Sequence, residues 1–256
     1  MPASKIAFFG ATGDCAGYTL ANTLNAGYDC IALARTPAKL TQSMKSKGVS
    51  SEALDQHLTI IQGNIQDVEA VKRALQLNGE VVDTIVCGIG GTPQLQWSFF
   101  TPVTLDNPKI CQKAGNAILQ ALVQLKSTVK PLLIYVSTTG IQPHGMPRDE
   151  PLLMSPLYRL LLHIPHVDKR ILEENLTAHV KLPLNDRGIR AFVAVKPSLL
   201  MDGEGYGLDF VRQGVPERPA VGYTIRRIDV GLFISERLIK QEPADEWLNK
   251  GISLTY

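Results

Sequence analysis

The sequence predicts a single α/β domain built around a doubly wound parallel sheet. Short apolar runs rich in β-branched and aromatic residues alternate along the chain with segments of helical periodicity. The runs lack the polar and apolar alternation of half-exposed strands, as is typical of a parallel sheet covered by helices on both faces. A chain of 256 residues can bury one large core of this kind. We therefore expect one domain over residues 1–256.

Apolar runs predict the strands of this sheet, and amphipathic segments predict the helices between them. The runs are KIAFFG at 5–10, DCIALAR at 29–35, LTIIQGN at 58–64, DTIVCGIG at 83–90, PLLIYVSTTG at 131–140 and IRAFVAVKPSLL at 189–200. The predicted helices span about 16–26, 68–77, 109–125 and 166–182. Two stretches, at about 90–108 and 140–166, interrupt the alternation after strand ends. Because open α/β sheets bind ligands beyond the carboxyl ends of their strands, we interpret both as substrate-side insertions.

Composition and charge argue against several classes of protein. The net charge is +2, and the basic residues are interspersed with acids, so no nucleic-acid-binding surface is indicated. The four cysteines have no CxxC spacing, which predicts reduced thiols and neither a metal site nor a disulfide framework. The sequence has no signal-peptide pattern and no apolar run long enough for a membrane span. We expect a cytoplasmic protein.

The first predicted turn, within FFGATGDCAGYTL at residues 8–20, has the glycines of a dinucleotide-binding turn. Gly10 permits a tight turn, and Gly13 lets the backbone approach a pyrophosphate at the helix N-terminus. The third position of the spacing is Ala16, with Gly17 beside it. We expect the cofactor to contact the residues of this turn, namely Gly10, Thr12, Gly13, Asp14 and Cys15. A plain tight turn is the alternative.

The second predicted strand ends at Arg35, with Lys39 close behind. A protein that prefers NAD usually has an acid here to bind the ribose hydroxyls. A guanidinium instead fits a 2′-phosphate with two hydrogen bonds, so the sequence favours NADP(H). The alternative is a solvated arginine at a strand end.

These motifs together resemble the atypical short-chain dehydrogenase/reductase families, especially the NmrA-like, NAD(P)-binding proteins common in fungal metabolism. GATGDCAG resembles their glycine turn, GNIQD the segment that borders the adenine, and VCGIGG the strand end that lines the cofactor. The resemblance implies a Rossmann-type fold and cofactor contacts at Asn64, Ile65, Cys87, Gly88, Ile89 and Pro197. Asn64 replaces a more usual Asp, and Lys196 replaces a frequent arginine. Asp229 is expected to cap the last helix.

The same resemblance implies candidate catalytic residues. Short-chain dehydrogenases reduce a carbonyl with a serine or threonine, a tyrosine and a lysine four residues after the tyrosine. Ser137 and Thr138 stand at the end of the fifth predicted strand, and Lys169 resembles the lysine that holds the nicotinamide ribose. Pro165 occupies the tyrosine position, so the usual general acid is missing. Tyr158 is the candidate replacement, and the insertion also offers three histidines, His144, His163 and His166. Strand-end hydroxyls that cap a turn are the alternative for Ser137 and Thr138.

Large apolar side chains concentrate in the two predicted insertions and suggest a pocket for an aromatic or polycyclic small molecule. We expect that pocket to be lined by Trp97, Phe100, Met154 and Tyr158. A packed lid or the surface of a homodimer explains these residues equally well.

The sequence thus favours an NADP(H)-dependent oxidoreductase of secondary metabolism that acts on a hydrophobic small molecule. The missing tyrosine favours a second hypothesis, a redox sensor that binds the dinucleotide without turnover. An isomerase, dehydratase or cyclase on the same fold is a third hypothesis.

Overall fold

A computed structural model describes residues 4–91, 93–95, 103–155 and 162–256, with backbone alone for 93–95 and 103–105. The α-helices are Asp14–Asn25 (α1), Pro37–Ser46 (α2), Ser51–His57 (α3), Val68–Ala74 (α4), Ile110–Leu125 (α5), His163–His179 (α6) and Arg227–Phe233 (α7). A π-helix, Ile234–Ile239, continues α7. The strands are Ile6–Phe9 (β1), Cys30–Ala34 (β2), Leu58–Gln62 (β3), Gln76–Leu77 (β4), Glu80–Val81 (β5), Thr84–Cys87 (β6), Pro93–Leu95 (β7), Val103–Leu105 (β8), Leu132–Val136 (β9), Ala191–Pro197 (β10), Leu199–Met201 (β11), Arg212–Gly214 (β12), Thr224–Arg226 (β13) and Lys250–Thr255 (β14).

An eight-stranded sheet organises the described part of the chain, in the order β12-β14-β10-β9-β6-β1-β2-β3. Its neighbours pair in parallel, except for the edge strand β12, which is antiparallel to β14. The remaining strands form two-stranded pairs outside this sheet. The predicted α/β, Rossmann-type doubly wound sheet is confirmed.

The chain reverses direction across the sheet at β1. From β1 it runs outward through β2 to β3, and then returns to place β6 on the other side of β1. Phe9, at the end of β1, therefore lies beside Leu33 of β2 and Cys87 of β6. The helices that leave such neighbouring strands depart on opposite faces, which opens a crevice at the strand ends.

The strands of the sheet are buried on both faces. In β1, Ile6 and Phe8 belong to a core shared with α1 and α7, whereas Ala7 and Phe9 belong to a core shared with α4, α5 and α6. All four side chains are fully buried. This double burial explains why the strands appear in the sequence as continuous apolar runs.

Each of the six predicted strands is present, with ends within a few residues of the predicted ones. Strand β14 was not predicted, because Gly251, Ser253 and Thr255 alternate with its apolar residues and only pairing with β10 buries it. Helices α2 and α3 were also not predicted, whereas the last helix, α7, begins within the expected segment. The expected cap at Asp229 is wrong: Arg226 is the N-cap residue of α7, and the Asp229 carboxylate accepts hydrogen bonds from the backbone of Tyr206 and Gly207.

No helix in the described residues is both long and apolar enough to cross a lipid bilayer.

Candidate cofactor and active site

A cavity of about 400 Å³ opens at the carboxyl ends of β1, β2 and β6. Among its lining residues are these predicted cofactor contacts: Gly10, Thr12, Gly13, Arg35, Asn64, Ile65, Gly88 and Ile89. Gln66, Asp106 and Asn107 also line it, and the sequence analysis did not identify them. Asp106 and Asn107 follow the second strand of the β7–β8 hairpin, so only the return of that hairpin brings them to the crevice.

The glycine turn has a backbone that a nucleotide phosphate would fit. Gly10 has a φ of 78°, a region that favours glycine, and a methyl group there would lie 2.8 Å from Cγ1 of Ile89. The Gly13 amide donates to the Gly10 carbonyl at 3.0 Å and so closes the turn. Gly13 is the N-cap residue of α1 and has no side chain to cap the first-turn amides. Those amides, at the positive end of the helix dipole, form an anion-binding site suited to a pyrophosphate.

Close packing of α1 against β6 sets the width of the crevice. A methyl group on Gly88 would lie 2.5 Å from Cβ of Ala16, so the two residues have to be small together. Ala16, which occupies the third position of the glycine spacing, thus has Gly88 as its packing partner.

One part of the cavity wall combines Arg35 with the loop after β3. Arg35 is exposed at the end of β2, and no ion pair of its guanidinium is found among the described residues. Asn64 forms a turn in which its Oδ1 accepts a hydrogen bond from the Gln66 amide at 3.1 Å. The guanidinium and the adjacent amide side chains are polar groups suited to a nucleotide with a further phosphate.

Several predicted contacts do not line the cavity. Asp14 points to the end of α2, where its carboxylate pairs with the Lys47 ammonium at 3.1 Å. Cys15 and Cys87 are buried, and burial raises their pKa values to about 12 and about 11, so both are neutral thiols at pH 7. Pro197 is buried at the end of β10, where its carbonyl accepts from the Thr139 amide.

Lys169 of α6 contacts the loop that follows β9. It stands two turns into α6, which begins at His163, and its ammonium donates to the Ser137 carbonyl at 2.8 Å. Its charge acts on the Cys15 and Cys87 thiols on one side and on His166 on the other. It therefore links the crevice to the loop after β9.

The Ser137 hydroxyl is engaged within the protein. It is almost fully buried and donates to Oε1 of Glu173 at 2.7 Å. The other oxygen of Glu173 pairs with the ammonium of Lys196 at 2.9 Å, and that ammonium also donates to the Ile141 carbonyl. Because its single proton is directed to Glu173, Ser137 does not have a free hydrogen for a substrate carbonyl. Thr138, half-buried beside it, remains as the strand-end hydroxyl with no bond to a described residue.

Burial of the ammonium of Lys196 depends on a small neighbour. A side chain on Gly251 of β14 would lie 2.4 Å from Cε of Lys196. The hydroxyl of Tyr135 is buried near Glu173, and burial, followed by the charge of Glu173, raises the pKa of Tyr135 well above its usual value. The centre beneath Ser137 is thus a compact polar cluster of Tyr135, Glu173 and Lys196.

A second cavity, of about 320 Å³, lies between the loop after β9 and the start of α6. We call it the basic cavity and define it by Gln142, Met146, Arg148, Glu150, His166 and Arg170. His166 is nearly buried in its wall, and burial, together with the charges of Lys169 and Arg170, lowers the pKa of His166 to about 4. This imidazole is therefore neutral at pH 7.

The predicted substrate pocket is only partly described. Met154 is half-buried on a short 3₁₀-helix beside the exposed side chains of Leu152 and Leu153. Trp97, Phe100 and Tyr158 lie outside the described residues. In the described ranges no group of three or more potential metal ligands comes together.

The chain is similar in sequence to an NAD(P)H-binding family and to two fungal proteins. A family model described as NAD(P)H-binding matches residues 10–241. Reductase pytE of Aspergillus terreus is 42% identical over 267 residues, which cover 100% of both chains. Oxidase pynE of Aspergillus niger is 34% identical over 288 residues, which cover 100% of this chain and 99% of that one. Both names denote oxidoreductases, which supports the predicted enzyme class.

Solved structures show the same fold at low sequence identity. A wide-type short-chain dehydrogenase/reductase from Veillonella parvula, in complex with NADP, has a TM-score of 0.67 at 14% identity and covers 99% of this chain and 94% of that one. ChuY, an anaerobillin reductase from Escherichia coli O157:H7, has a TM-score of 0.64 at 16% identity, with 98% and 96% covered. With its glycine turn, its crevice and its full-length relatives, the chain belongs to the NAD(P)H-binding family, in the NmrA-like, atypical group of short-chain dehydrogenases/reductases that its motifs predict.

Proposed function

We propose that this protein is an NADPH-dependent oxidoreductase that transfers hydride between the nicotinamide and a small organic molecule of secondary metabolism. The observation that carries the proposal is the crevice itself, in which the start of α1, without a side-chain cap, and the cation of Arg35 line one cavity. A dinucleotide has a pyrophosphate for the first and, in NADP(H), a 2′-phosphate for the second. The relatives named reductase and oxidase support redox chemistry at this site.

The residues of the chain have distinct roles in this proposal. A bound nicotinamide would supply or accept the hydride. Lys169, fixed on the Ser137 carbonyl, would hold the nicotinamide ribose. Thr138 would donate a hydrogen bond to the substrate oxygen, because the Ser137 hydroxyl is directed to Glu173. The substrate would enter from the side of the loop after β9, where the predicted apolar residues are found.

Cofactor titration of an Arg35 variant tests the proposal. Arg35→Gln should weaken NADPH binding about tenfold or more, because the guanidinium loses its charge-assisted bonds to the 2′-phosphate, while NADH binding changes little. Binding is measured by nucleotide fluorescence on the full chain. Arg237→Gln, which removes an exposed arginine of the π-helix, is the matched control. Equal losses for both nucleotides would exclude the 2′-phosphate assignment, and no binding of either would exclude the proposal as a whole.

The absence of the tyrosine and the engaged Ser137 hydroxyl favour a second candidate, a redox sensor that binds NADP(H) without turnover. The two candidates differ in a simple assay. A reductase consumes NADPH when a panel of aromatic and polycyclic carbonyl compounds is added, whereas a sensor binds NADPH and consumes none.

A further inference from the structure

The basic cavity lies beside the predicted catalytic centre rather than in the cofactor crevice. The loop residue Gly140, three positions after Ser137, forms part of its wall, as does His166, one helical turn before Lys169. A molecule bound there would therefore reach towards Thr138 and Lys169. This position is on the side of the strand ends from which a substrate would approach.

Positive charge predominates around this cavity. Arg148 and Arg170 face it, against the single carboxylate of Glu150 in its described wall. That carboxylate is 3.8 Å from Nε of Arg148, a long distance for an ion pair, and Arg148 also donates from Nη2 to the Ser155 hydroxyl at 3.1 Å. Arg170 has no ion pair with any residue in the described part of the chain. Two guanidiniums thus line the cavity, and the carboxylate of Glu150 neutralises only part of their positive charge.

The field extends beyond the lining residues. The positive charges of Lys169, Arg170, His163 and Lys196 act on His166 and lower its pKa. The cavity also meets the first two turns of α6 through His163, His166 and Arg170, so the positive end of the dipole of a 17-residue helix points towards it. These contributions have the same sign as the two guanidiniums.

The remaining wall is apolar or neutral. Met146 and Val167 contribute apolar surface, and Gln142 contributes an amide whose nitrogen donates to the Pro147 carbonyl at 3.1 Å. A ligand that matches both parts of the wall has a planar negative group on an apolar body. A carboxylate has the geometry that guanidiniums bind with paired hydrogen bonds.

We propose that the basic cavity binds a carboxylate of the substrate between Arg148 and Arg170, so that the protein acts on an organic acid with an apolar body. This inference rests on the proposed oxidoreductase function and adds the charge of its substrate. The carboxylate anchors the molecule while its reacting carbon is held near Thr138 and Lys169.

Calorimetric titration of the full chain tests the inference with defined probes, with and without NADP⁺. Naphthoate and benzoate are compared with their carboxamides, which have the same shape and no charge. We expect the acids to bind at least about tenfold more tightly than the amides, and Arg148→Gln or Arg170→Gln to weaken the acids about tenfold without affecting the amides. Arg170→Lys, which retains the charge, should lose less affinity for the acids than Arg170→Gln.

The controls separate this inference from the proposed function. Arg237→Gln should bind the acids as the unaltered protein does, and NADPH affinity is titrated for every variant. Acids and amides that bind equally, variants without effect, or no binding of either acid would overturn the carboxylate site. If NADPH then still binds, the proposed function survives that failure. If instead the acids bind through both arginines and NADPH does not bind, the proposed function fails alone.

Discussion

A single hydrogen bond distinguishes the roles of the two hydroxyl groups at the end of β9. Ser137 and Thr138 are adjacent in sequence and chemically similar, and the sequence analysis treated them alike. In the structure, the Ser137 hydroxyl is buried and donates to Glu173, whereas Thr138 is half-buried and has no such partner among the described residues. Ser137 therefore belongs to the polar cluster beneath the site, and we propose Thr138 as the residue that contacts the substrate.

Separate substitutions of the two residues should give opposite results. Ser137→Ala should lower the free energy of unfolding by about 1–3 kcal/mol, because it leaves Oε1 of Glu173 without its hydrogen-bond donor. Thr138→Val should change stability by less than about 0.5 kcal/mol, as for most substitutions away from buried networks, and lower kcat instead. Urea unfolding and steady-state kinetics measure the two effects. A Thr138→Val variant with unchanged kcat would contradict the assignment.

Lys169 provides a second prediction at this scale. Lys169→Met retains the aliphatic stem but removes the ammonium that donates to the Ser137 carbonyl. Turnover should fall about 100-fold or more, a loss of the size expected when a group at the reacting centre is removed. Lys181→Met, just beyond the end of α6, is the control and should retain activity. Circular dichroism checks that the fold persists, and full activity of Lys169→Met would exclude the role.

Among the elements, helices α5 and α6 are joined by a contact that neither helix predicts alone. The Asp168 carboxylate, buried in α6, accepts hydrogen bonds from the amides of Cys111 and Gln112 at 2.8 and 3.0 Å. It thereby caps α5, whose own N-cap residue, Lys109, has no side-chain bond to the helix. A methyl group on Gly115 would lie 2.2 Å from Cδ1 of Leu172, so the helices also pack very closely. Asp168 is adjacent to Lys169, and the cap therefore also fixes the position of the lysine.

Removal of this cap should weaken the α5–α6 pair. Asp168→Ala leaves two buried amides without acceptors, and we expect the free energy of unfolding to fall by about 2–4 kcal/mol. Asp168→Asn, which retains one acceptor oxygen, should show a smaller decrease in the free energy of unfolding. Thermal and urea unfolding measure both variants, while hydrogen exchange at the first turn of α5 locates the effect. Protection of those amides that is unaltered in Asp168→Ala would contradict the capping role.

For the whole molecule, two buried groups near the basic cavity give stability opposite dependences on pH. Burial and nearby cations lower the pKa of His166 from 6.5 to about 4. Between these pH values the unfolded chain takes up a proton that the folded protein does not, so the free energy of unfolding decreases as pH falls. Burial raises the pKa of Asp149 to about 6 from 3.8, so the folded protein takes up its proton first, and stability rises as pH falls. The two effects oppose each other over most of this range.

Single substitutions should reveal each effect. Relative to the unaltered protein, Asp149→Asn should lose stability as pH falls from about 6 to about 4, and His166→Gln should gain it, each by at most about 1.4 kcal/mol per pH unit. Urea unfolding at several pH values gives both curves. Parallel curves for the three proteins would show that neither group has a shifted pKa in the folded state.

Apolar runs and turn glycines in the sequence were sufficient to predict much of the architecture. The strands β1, β2, β3, β6, β9 and β10 are found near their predicted places, and the glycine turn lies where β1 meets α1. Strand β14 was missed because its alternating polar residues become buried only beside β10. In the same way, Asn107 became a lining residue only through the fold of the chain before it.

The sequence by itself determined the α/β class, the family and the place of Arg35 at the end of β2, because apolar runs, turn glycines and strand ends are local properties of the chain. Only the tertiary structure decided the partner of the Ser137 hydroxyl, the cap on α5 and the assembly of the basic cavity. Ser137 and Glu173 are 36 residues apart, and Cys111 and Asp168 are 57 apart. Contacts at such separations depend on how helices pack on the sheet, and the chemistry of this site depends on those contacts.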